Sequence, residues 1–411
     1  MTRSSLFHLI RIPRWLQRSL LIFTLLWLVL SLWQAPVVRL GKPDTQELRG
    51  VWMTNFGAAL MYYTTRMDEV MAHIAEHRLN TLYPAVWNRG YTLHPSTIAL
   101  LAGGWSRAPF TSLPLLPFQD ALSGLIYQAH RQHLRLIPWF EYGLMLPQQS
   151  PIARKHPDWL TTTRSGSKGN GWLNPFHPQV QQFLVDLVVE VVQRYAVDGI
   201  QLDDHFGLPI EFGYDPYTTK LYRNDHNGTE PPSNPANPEW IDWRAERLTQ
   251  LMAKIAKAVK VTRQGAVVSL SPHTPNFAYQ KYLQDWTHWV NLGLVDEVIV
   301  QVYRQDLATL KVQLYNGGFR PLLRQSVPIS VGLYTGPFLA AKRIQPLGSE
   351  VETVRAAGYK GVSFFCWETT FWLFKGGSDL QVRQTFLKLF PAVSKAPIRA
   401  SNHNVEVLQM Y

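Results

Sequence analysis

Eight short runs rich in β-branched and aromatic residues recur along the chain and constrain its fold more than any other feature. They begin at Leu48 (LRGVWMTNF), Asn80 (NTLYPAVWN), Leu134 (LRLIPWFEYG), Asp198 (DGIQLDD), Ala266 (AVVSLSPH), Asp296 (DEVIVQVYR), Val327 (VPISVGLYTG) and Gly361 (GVSFFCWET). Near-continuous apolar character marks parallel strands covered on both faces. Helical spacing fills the intervals. Met67, Val70, Met71 and Ile74 form one stripe, Phe183, Leu184, Leu187, Val188 and Val191 a second, and Leu248, Leu251, Met252, Ile255 and Val259 a third. A last helix is expected around Val382 to Leu389. Eight strand–helix units predict an α/β fold, a (β/α)8 TIM barrel over residues 48–391. A doubly wound open sheet is the alternative and would leave an edge.

Charge separates the N-terminal segment from that barrel. The net charge is +11, yet residues 1–42 hold Arg3, Arg11, Arg14, Arg18, Arg39 and Lys42 and no acid, leaving +5 for the rest. No long Lys/Arg run follows, so a nucleic-acid surface is not expected. After the basic segment 1–18, an uncharged stretch over 19–38 has an apolar centre from Leu20 to Trp33. That pattern predicts a signal anchor with its N-terminus in the cytoplasm and the barrel exported on the extracytoplasmic (periplasmic) side; a cleaved signal peptide is the rival. Trp33-Gln34-Ala35-Pro36 makes a poor cleavage site. A linker over 39–47 and a tail over 392–411 flank the barrel. Cys366 is the sole cysteine, which excludes an intramolecular disulfide and a multi-cysteine metal site.

Extra length falls after the second, third and fourth strands, at Tyr91 to Phe118, Gly143 to Pro178 and Gly207 to Pro238. In a barrel these strand-to-helix loops build the C-terminal face, where active sites sit. Carboxylates stand at the ends of three strands: Glu141, the pair Asp203 and Asp204, and Glu368. Two carboxyl groups flanking a bond are what glycoside hydrolysis needs, one giving a proton and the other acting as nucleophile or base. Strand parity groups Gln201, Asp203 and His205 on one side, so Asp203 is expected to point inward and Asp204 away. Asn55, Trp87, Asn88, Trp139, His273, Gln301, Tyr303 and Trp367 lie at similar depth and, with His205, suit hydrogen bonding and ring stacking to a sugar.

RGVW (Arg49 to Trp52), DGIQLDDHF (Asp198 to Phe206), Ser271-Pro272 and QVY (Gln301 to Tyr303) together resemble the glycosyl hydrolase-like 10 family, over about Leu48 to Leu389. The resemblance implies an exported bacterial barrel acting on an envelope polysaccharide, with peptide-free peptidoglycan glycan strands as one substrate class. The family's tandem Asp falls on Asp203 and Asp204. His205 stands where the family commonly has Tyr, and Glu141-Tyr142 where many members have Asn-Pro. DGIQLDDH is also similar to the DGxDxDxE strand of family 18 chitinases. However, Gln201 and His205 replace the first inner acid and the catalytic Glu, so that mechanism does not transfer.

Two other classes compete. A barrel without a competent carboxylate pair would be a polysaccharide-binding protein. A metal held by Asp203, His205 and His273 would suggest a deacetylase. His73-Ile74-Ala75-Glu76-His77 matches the H-x-x-E-H zinc pattern, but on the first outer helix, far from the mouth. No cofactor and no resident metal are expected.

Overall fold

The computed structural model describes residues 13–32, 34–112, 120–317, 326–336, 341–397 and 399. All eight runs become strands: β1 (Leu48–Met53), β2 (Thr81–Pro84), β3 in two pieces (Arg135–Leu136 and Trp139–Phe140), β4 (Gly199–Asp203), β5 (Val267–Ser271), β6 (Glu297–Gln301), β7 (Ile329–Tyr334) and β8 (Gly361–Phe365). Every neighbouring pair is parallel. The sheet curls until its two ends meet, because they are the two pieces of β3: the first pairs with β2 and the second with β4. The break falls at Pro138, which has no N–H to give. Hydrogen bonds nonetheless cross it, from Ile137 N–H to the Leu82 carbonyl (3.0 Å) and from Gln201 N–H to the Pro138 carbonyl (2.8 Å). Nine strands thus form eight staves of a parallel barrel, and the open-sheet alternative is set aside.

Helices sheath the staves at the expected places, among them Met67–Glu76, Pro178–Arg194, Pro238–Thr262 and Asp379–Leu389. Their apolar stripes meet the outward side chains of the strands in one large core. Inside the ring the side chains stack in layers, as alternate residues of each strand demand. At the bottom, Tyr83 Oη donates to Glu297 Oε1 and Arg135 Nη2 to Glu297 Oε2, both at 2.9 Å. In the middle, Trp52 Nε1 donates to Gln201 Oε1 (2.7 Å) and Gln201 Nε2 to Ser269 Oγ (2.9 Å). The top layer holds Asp203 and Ser271, in register across β4 and β5.

The long loops are fastened to one another. Asp215 accepts from Thr161 Oγ1 (2.7 Å) and Asn174 Nδ2 (2.9 Å), tying the loop after β4 to the loop after β3. Arg244, fully buried, donates to the carbonyls of Ile210, Phe212 and Pro235 and lies 4.3 Å over the Trp240 ring. A buried guanidinium survives here because its donors are matched by carbonyls. At the opposite end, Thr45–Gln46 pairs with Ser394–Lys395, joining linker to tail beneath the barrel.

The N-terminal segment forms a helix, Arg14–Leu32, overlapping the stretch where the anchor was expected. Arg14, Gln17 and Arg18 occupy its first turns, and the uncharged part from Ser19 to Leu32 rises about 21 Å against a hydrocarbon layer of about 30 Å. Among the described residues no helix is long and apolar enough to cross a membrane. The uncharged sequence run was longer because it continues through Pro36, beyond the end of the helix.

The middle layer can be tested alone. Trp52→Phe keeps an aromatic ring but removes the pyrrole half with its N–H, leaving a void and stripping Gln201 Oε1 of its buried donor, which should cost at least about 1–3 kcal/mol. Urea denaturation checks this: the midpoint should fall with an unchanged slope.

Candidate active site

Asp203 ends β4 and points into the mouth, as its parity predicts. Its Oδ1 accepts from Ser271 Oγ (2.8 Å) and Gln301 Nε2 (2.6 Å). Asp204 does not point away. The strand stops at Asp203 and the chain turns at 204–205, which brings the second carboxylate back beside the first. Gln301 Nε2 therefore also reaches Asp204 Oδ1 (3.2 Å) and the Ser271 carbonyl (2.8 Å). His205 Nδ1 sits 3.3 Å from Asp204 Oδ1 and 3.6 Å from Asp203 Oδ2, and His273 Nε2 sits 2.8 Å from Asp204 Oδ2. Two carboxylates thus face two imidazoles around one amide. The Asp203 side chain is 3% exposed and that of Asp204 15%, so Asp204 is the one a ligand reaches more readily.

Burial and mutual charge set the protonation of this group. Burial and the neighbouring Asp204 push Asp203 upward. Burial opposes the charge of Asp204 as well, but the bond from His273 and the charges of His205 and His273 outweigh it and hold Asp204 low. Burial disfavours a charged His205, yet the carboxylate of Asp203 3.6 Å away and the charge of Asp204 raise it to about 9. The His205 ring is flanked by Tyr142 (centroids 5.8 Å, 18° between planes) and Trp172 (6.1 Å, 29°), faces that favour a cation.

Glu141 and Glu368 separate into different roles. Glu141 follows β3, accepts a hydrogen bond from Asn88 Nδ2, and borders a cavity of about 580 Å³ with Asn55, Asn88, Arg89 and Tyr142. Burial lifts its pKa to about 7, with the bond from Asn88 pulling the other way. Glu368 is buried on the turn after β8. Its Oε1 accepts from Thr54 N–H (3.0 Å) and Thr54 Oγ1 (2.5 Å), and burial raises its pKa too. A Cβ at Gly57 would stand 2.1 Å from the same oxygen, so the first turn of Asn55–Tyr63 rests on this carboxyl. That packing ties Oε1 to the start of the helix, while Oε2 is buried with no hydrogen-bond partner among the described residues.

The aromatic platforms expected from sequence sit lower than anticipated. Trp87, Trp139 and Trp367 are 1%, 3% and 3% exposed, leaving no open face for a sugar ring. Trp87 packs edge-on to Phe183 and donates to the Gly143 carbonyl, and Trp367 stacks on Trp372 beside a separate outer cleft. Trp139 meets Trp52 and Phe365 within the barrel. Tyr303 packs on Phe365 and Tyr334; burial and the two aspartates push its hydroxyl well up. Sequence reasoning missed Ser271, Thr54, Arg89, Tyr142 and Trp172. Ser271 and Tyr142 stood inside motifs already singled out, and inward parity along β5 would have found the serine. Trp172 lies deep in a long loop and carried no positional signal. His73 and His77 lie against Phe371 on the outer helix, and burial lowers both, His77 to about 4.

Among the described residues, Asp203, Asp204 and His205 form the group whose ligand atoms lie close enough for a metal, within 4.8 Å of one another. The Oδ1 atoms of both aspartates already accept from Gln301 Nε2, a donor that a cation on that side would have to displace.

With the geometry in place, comparison with known proteins decides the family. The family described as Glycosyl hydrolase-like 10 matches residues 47–353. The chain belongs to it. "Glycosyl hydrolase DigH" of Escherichia coli (strain K12) is 27% identical over 305 residues, covering 66% of this chain and 65% of that protein. The chain therefore spans just under two thirds of that relative's length. "Glycosyl hydrolase YngK" of Bacillus subtilis (strain 168) is 23% identical over 206 residues, 44% of this chain and 38% of that protein. Among solved structures, the PgaB (BpsB) glycoside hydrolase domain of Bordetella bronchiseptica aligns with a TM-score of 0.55 at 12% identity, covering 78% of this chain and 94% of that one. The beta-galactosidase of Rahnella sp. R3 aligns at 0.60 and 12%, covering 87% and 58%. Those two likenesses show the barrel fold, and the family match supports the resemblance read from the sequence motifs.

The charge balance at the mouth makes a measurable demand. In Asp203→Asn a negative charge 3.6 Å from the His205 ring is removed while the burial of the ring remains. The His205 titration, followed by long-range ¹H–¹⁵N NMR, should drop from about 9 by at least one unit.

Proposed function

We propose that this barrel hydrolyses O-glycosidic bonds in an envelope polysaccharide, with peptide-free peptidoglycan glycan strands as the substrate class. The observation that carries the reading is the pair of carboxyl environments at the mouth. Glu141 keeps its proton near neutral pH and borders an open cavity, whereas Asp204 is held ionised by His273 and His205. An acid and a base whose pKa values are driven apart is what the reaction requires. In this mechanism Glu141 protonates the leaving oxygen. Asp204 acts at the reacting carbon or on its water. Asp203, nearly closed off from solvent, orients His205 and shares Gln301 with Asp204. The inward-pointing Asp203 thus positions its neighbours, and the reacting carbon falls to Asp204. Asn88, Arg89, Tyr142 and Asn55 line the cavity and supply hydrogen bonds to hydroxyl or acetamido groups. The basic and then apolar N-terminal segment supports a place outside the cytoplasm.

The closeness of Asp203, Asp204 and His205 favours one second reading, a metal-dependent deacetylase. The two differ in product: hydrolysis of the chain shortens it by adding one water, whereas deacetylation removes acetate and leaves its length. Mass spectrometry of glycan strands incubated with the protein, with and without a chelator, separates them.

Glu141→Gln and Asp204→Asn should each lower kcat by at least about a hundredfold while glycan binding persists. In the parent protein kcat/KM should fall as pH rises through about 7, because Glu141 acts protonated and its pKa is raised to about 7. The ionised Asp204 is held low, so the acid limb should lie below the usual carboxylate range. A pH–rate profile still flat at pH 9 would remove Glu141 from the role of acid.

A further inference from the structure

A second cavity, of about 600 Å³, opens at the other end of the barrel, beneath the N-terminal ends of β1, β2 and β3. Its walls come from three separate stretches: the linker at 37–43, the helix-to-strand turns at 78–80 and 132–135, and the tail strand at 393–396. Arg39, Lys42, Arg78, His133, Arg135 and Lys395 all line it, and no Asp or Glu does. Arg135 is neutralised by Glu297 from inside the barrel. Among the described residues, Arg39, Lys42, Arg78 and Lys395 form no ion pair, and no carboxylate lines the cavity beside them. Four cations around one concavity repel each other and raise the potential inside it, which a bound anion would relieve.

Backbone geometry adds an independent sign. Arg78 and His133 occupy equivalent turns, just past the helices Met67–Glu76 and Ala121–Arg131, and both have left-handed φ, 60° and 58°. Glycine or asparagine takes that position at least cost. Here Arg78 and His133 are held there instead, both on the cavity wall. Cations near a helix C-terminus do gain from the helix dipole. That gain does not account for Arg39, Lys42 and Lys395, which reach the same space from the linker and the tail.

The cavity is also apolar. Val37, Leu40, Leu79 and Leu134 share its lining with the cations. A free inorganic anion gains nothing from such a wall, whereas an acyl chain beside a phosphate does. The linker that forms one wall is fixed to the barrel: Val38 N–H donates to Gln132 Oε1 (2.9 Å), and Gln132 Nε2 donates to the Pro36 carbonyl (3.0 Å). It leads directly from the helix Arg14–Leu32, whose Leu20, Leu21, Ile22 and Phe23 are all exposed. Five residues from Leu32 to Val37 keep that helix within about 18 Å of chain from the cavity.

We propose that this basal cavity binds the headgroup of an anionic phospholipid, its phosphate among the cations and its chains along the apolar wall. The barrel then docks base-down on a negatively charged lipid surface, with the Asp203–Asp204 mouth at the far end and directed away. Juxtamembrane cations act in this way on anionic leaflets. The inference does not depend on the reaction at the mouth.

The test uses the full chain and three soluble probes measured by titration calorimetry: dihexanoylphosphatidylglycerol below its micelle concentration, dihexanoylphosphatidylcholine, and inorganic phosphate. Phosphatidylglycerol should bind at least tenfold more tightly than either of the others. The double variant Arg39→Gln/Lys42→Gln, on exposed linker positions, should lose at least tenfold of that affinity with its circular dichroism unchanged. Arg78→Gln should lose affinity alongside it. Equal binding of the two lipids would overturn the proposal, as would phosphate binding as tightly as phosphatidylglycerol. Unaltered affinity in both variants, or no binding of any probe, would overturn it as well.

Discussion

The candidate site depends on one amide. Gln301 Nε2 stands between Asp203 Oδ1 and Asp204 Oδ1, which places the two carboxylates no more than about 6 Å apart. At that distance two like charges in a partly buried setting repel by about 3 kcal/mol. The pair is tolerated because donors converge on it: Gln301 from β6, Ser271 from β5, His273 just beyond β5, and His205 from the same turn. Gln301 and Ser271 are aimed by the register of their staves, and His273 and His205 by the segments that follow β5 and β4. Closing the ring through β3 is therefore what sets the electrostatics of the mouth.

Below that layer the barrel interior is more polar than a hydrophobic core requires. Tyr83, Arg135 and Glu297 fill one level and Trp52, Gln201 and Ser269 the next, each bonded across the ring. Buried polar groups of this kind are costly if half satisfied and directional when complete. Their effect is to fix which residue of each strand faces inward. A slip of one residue in β4 would take Gln201 from Trp52 and Asp203 from Ser271 together. The positions of the two aspartates are thus insured by contacts one and two layers beneath them.

How much of this could be read from the chain varied with the range of the physics involved. The staves were legible because apolar runs and helical stripes are local and repeat eight times. The inward aim of Asp203 was legible because strand parity is also local. Asp204 was not, since parity holds only while the strand continues, and the turn at 204–205 is set by packing against the loop after β3: the Leu144 N–H donates to the His205 carbonyl at 2.8 Å. Trp87 and Trp367 looked like sugar platforms from their places at strand ends. What decides their exposure is the cover supplied by Phe183 and Trp372 from distant sequence, and no local pattern carries that. In the N-terminal run, uncharged length and helix length differ: the helix begins at Arg14, so its first turns carry Arg14, Gln17 and Arg18.

The separation of Glu141 from Glu368 follows from the same distinction between local and distant effects. Both are strand-end carboxyls raised by burial, and the sequence offers no way to rank them. The structure does, through what each oxygen touches. Glu368 spends Oε1 on the Thr54 backbone and hydroxyl and packs against Gly57, so moving it would unseat the start of the helix Asn55–Tyr63. Glu141 accepts from the Asn88 amide and lines a cavity. A proton donor must let go of its proton in reach of a ligand and take another from solvent. A carboxyl bordering an open cavity is better placed for both than one whose oxygen is held against the start of a helix.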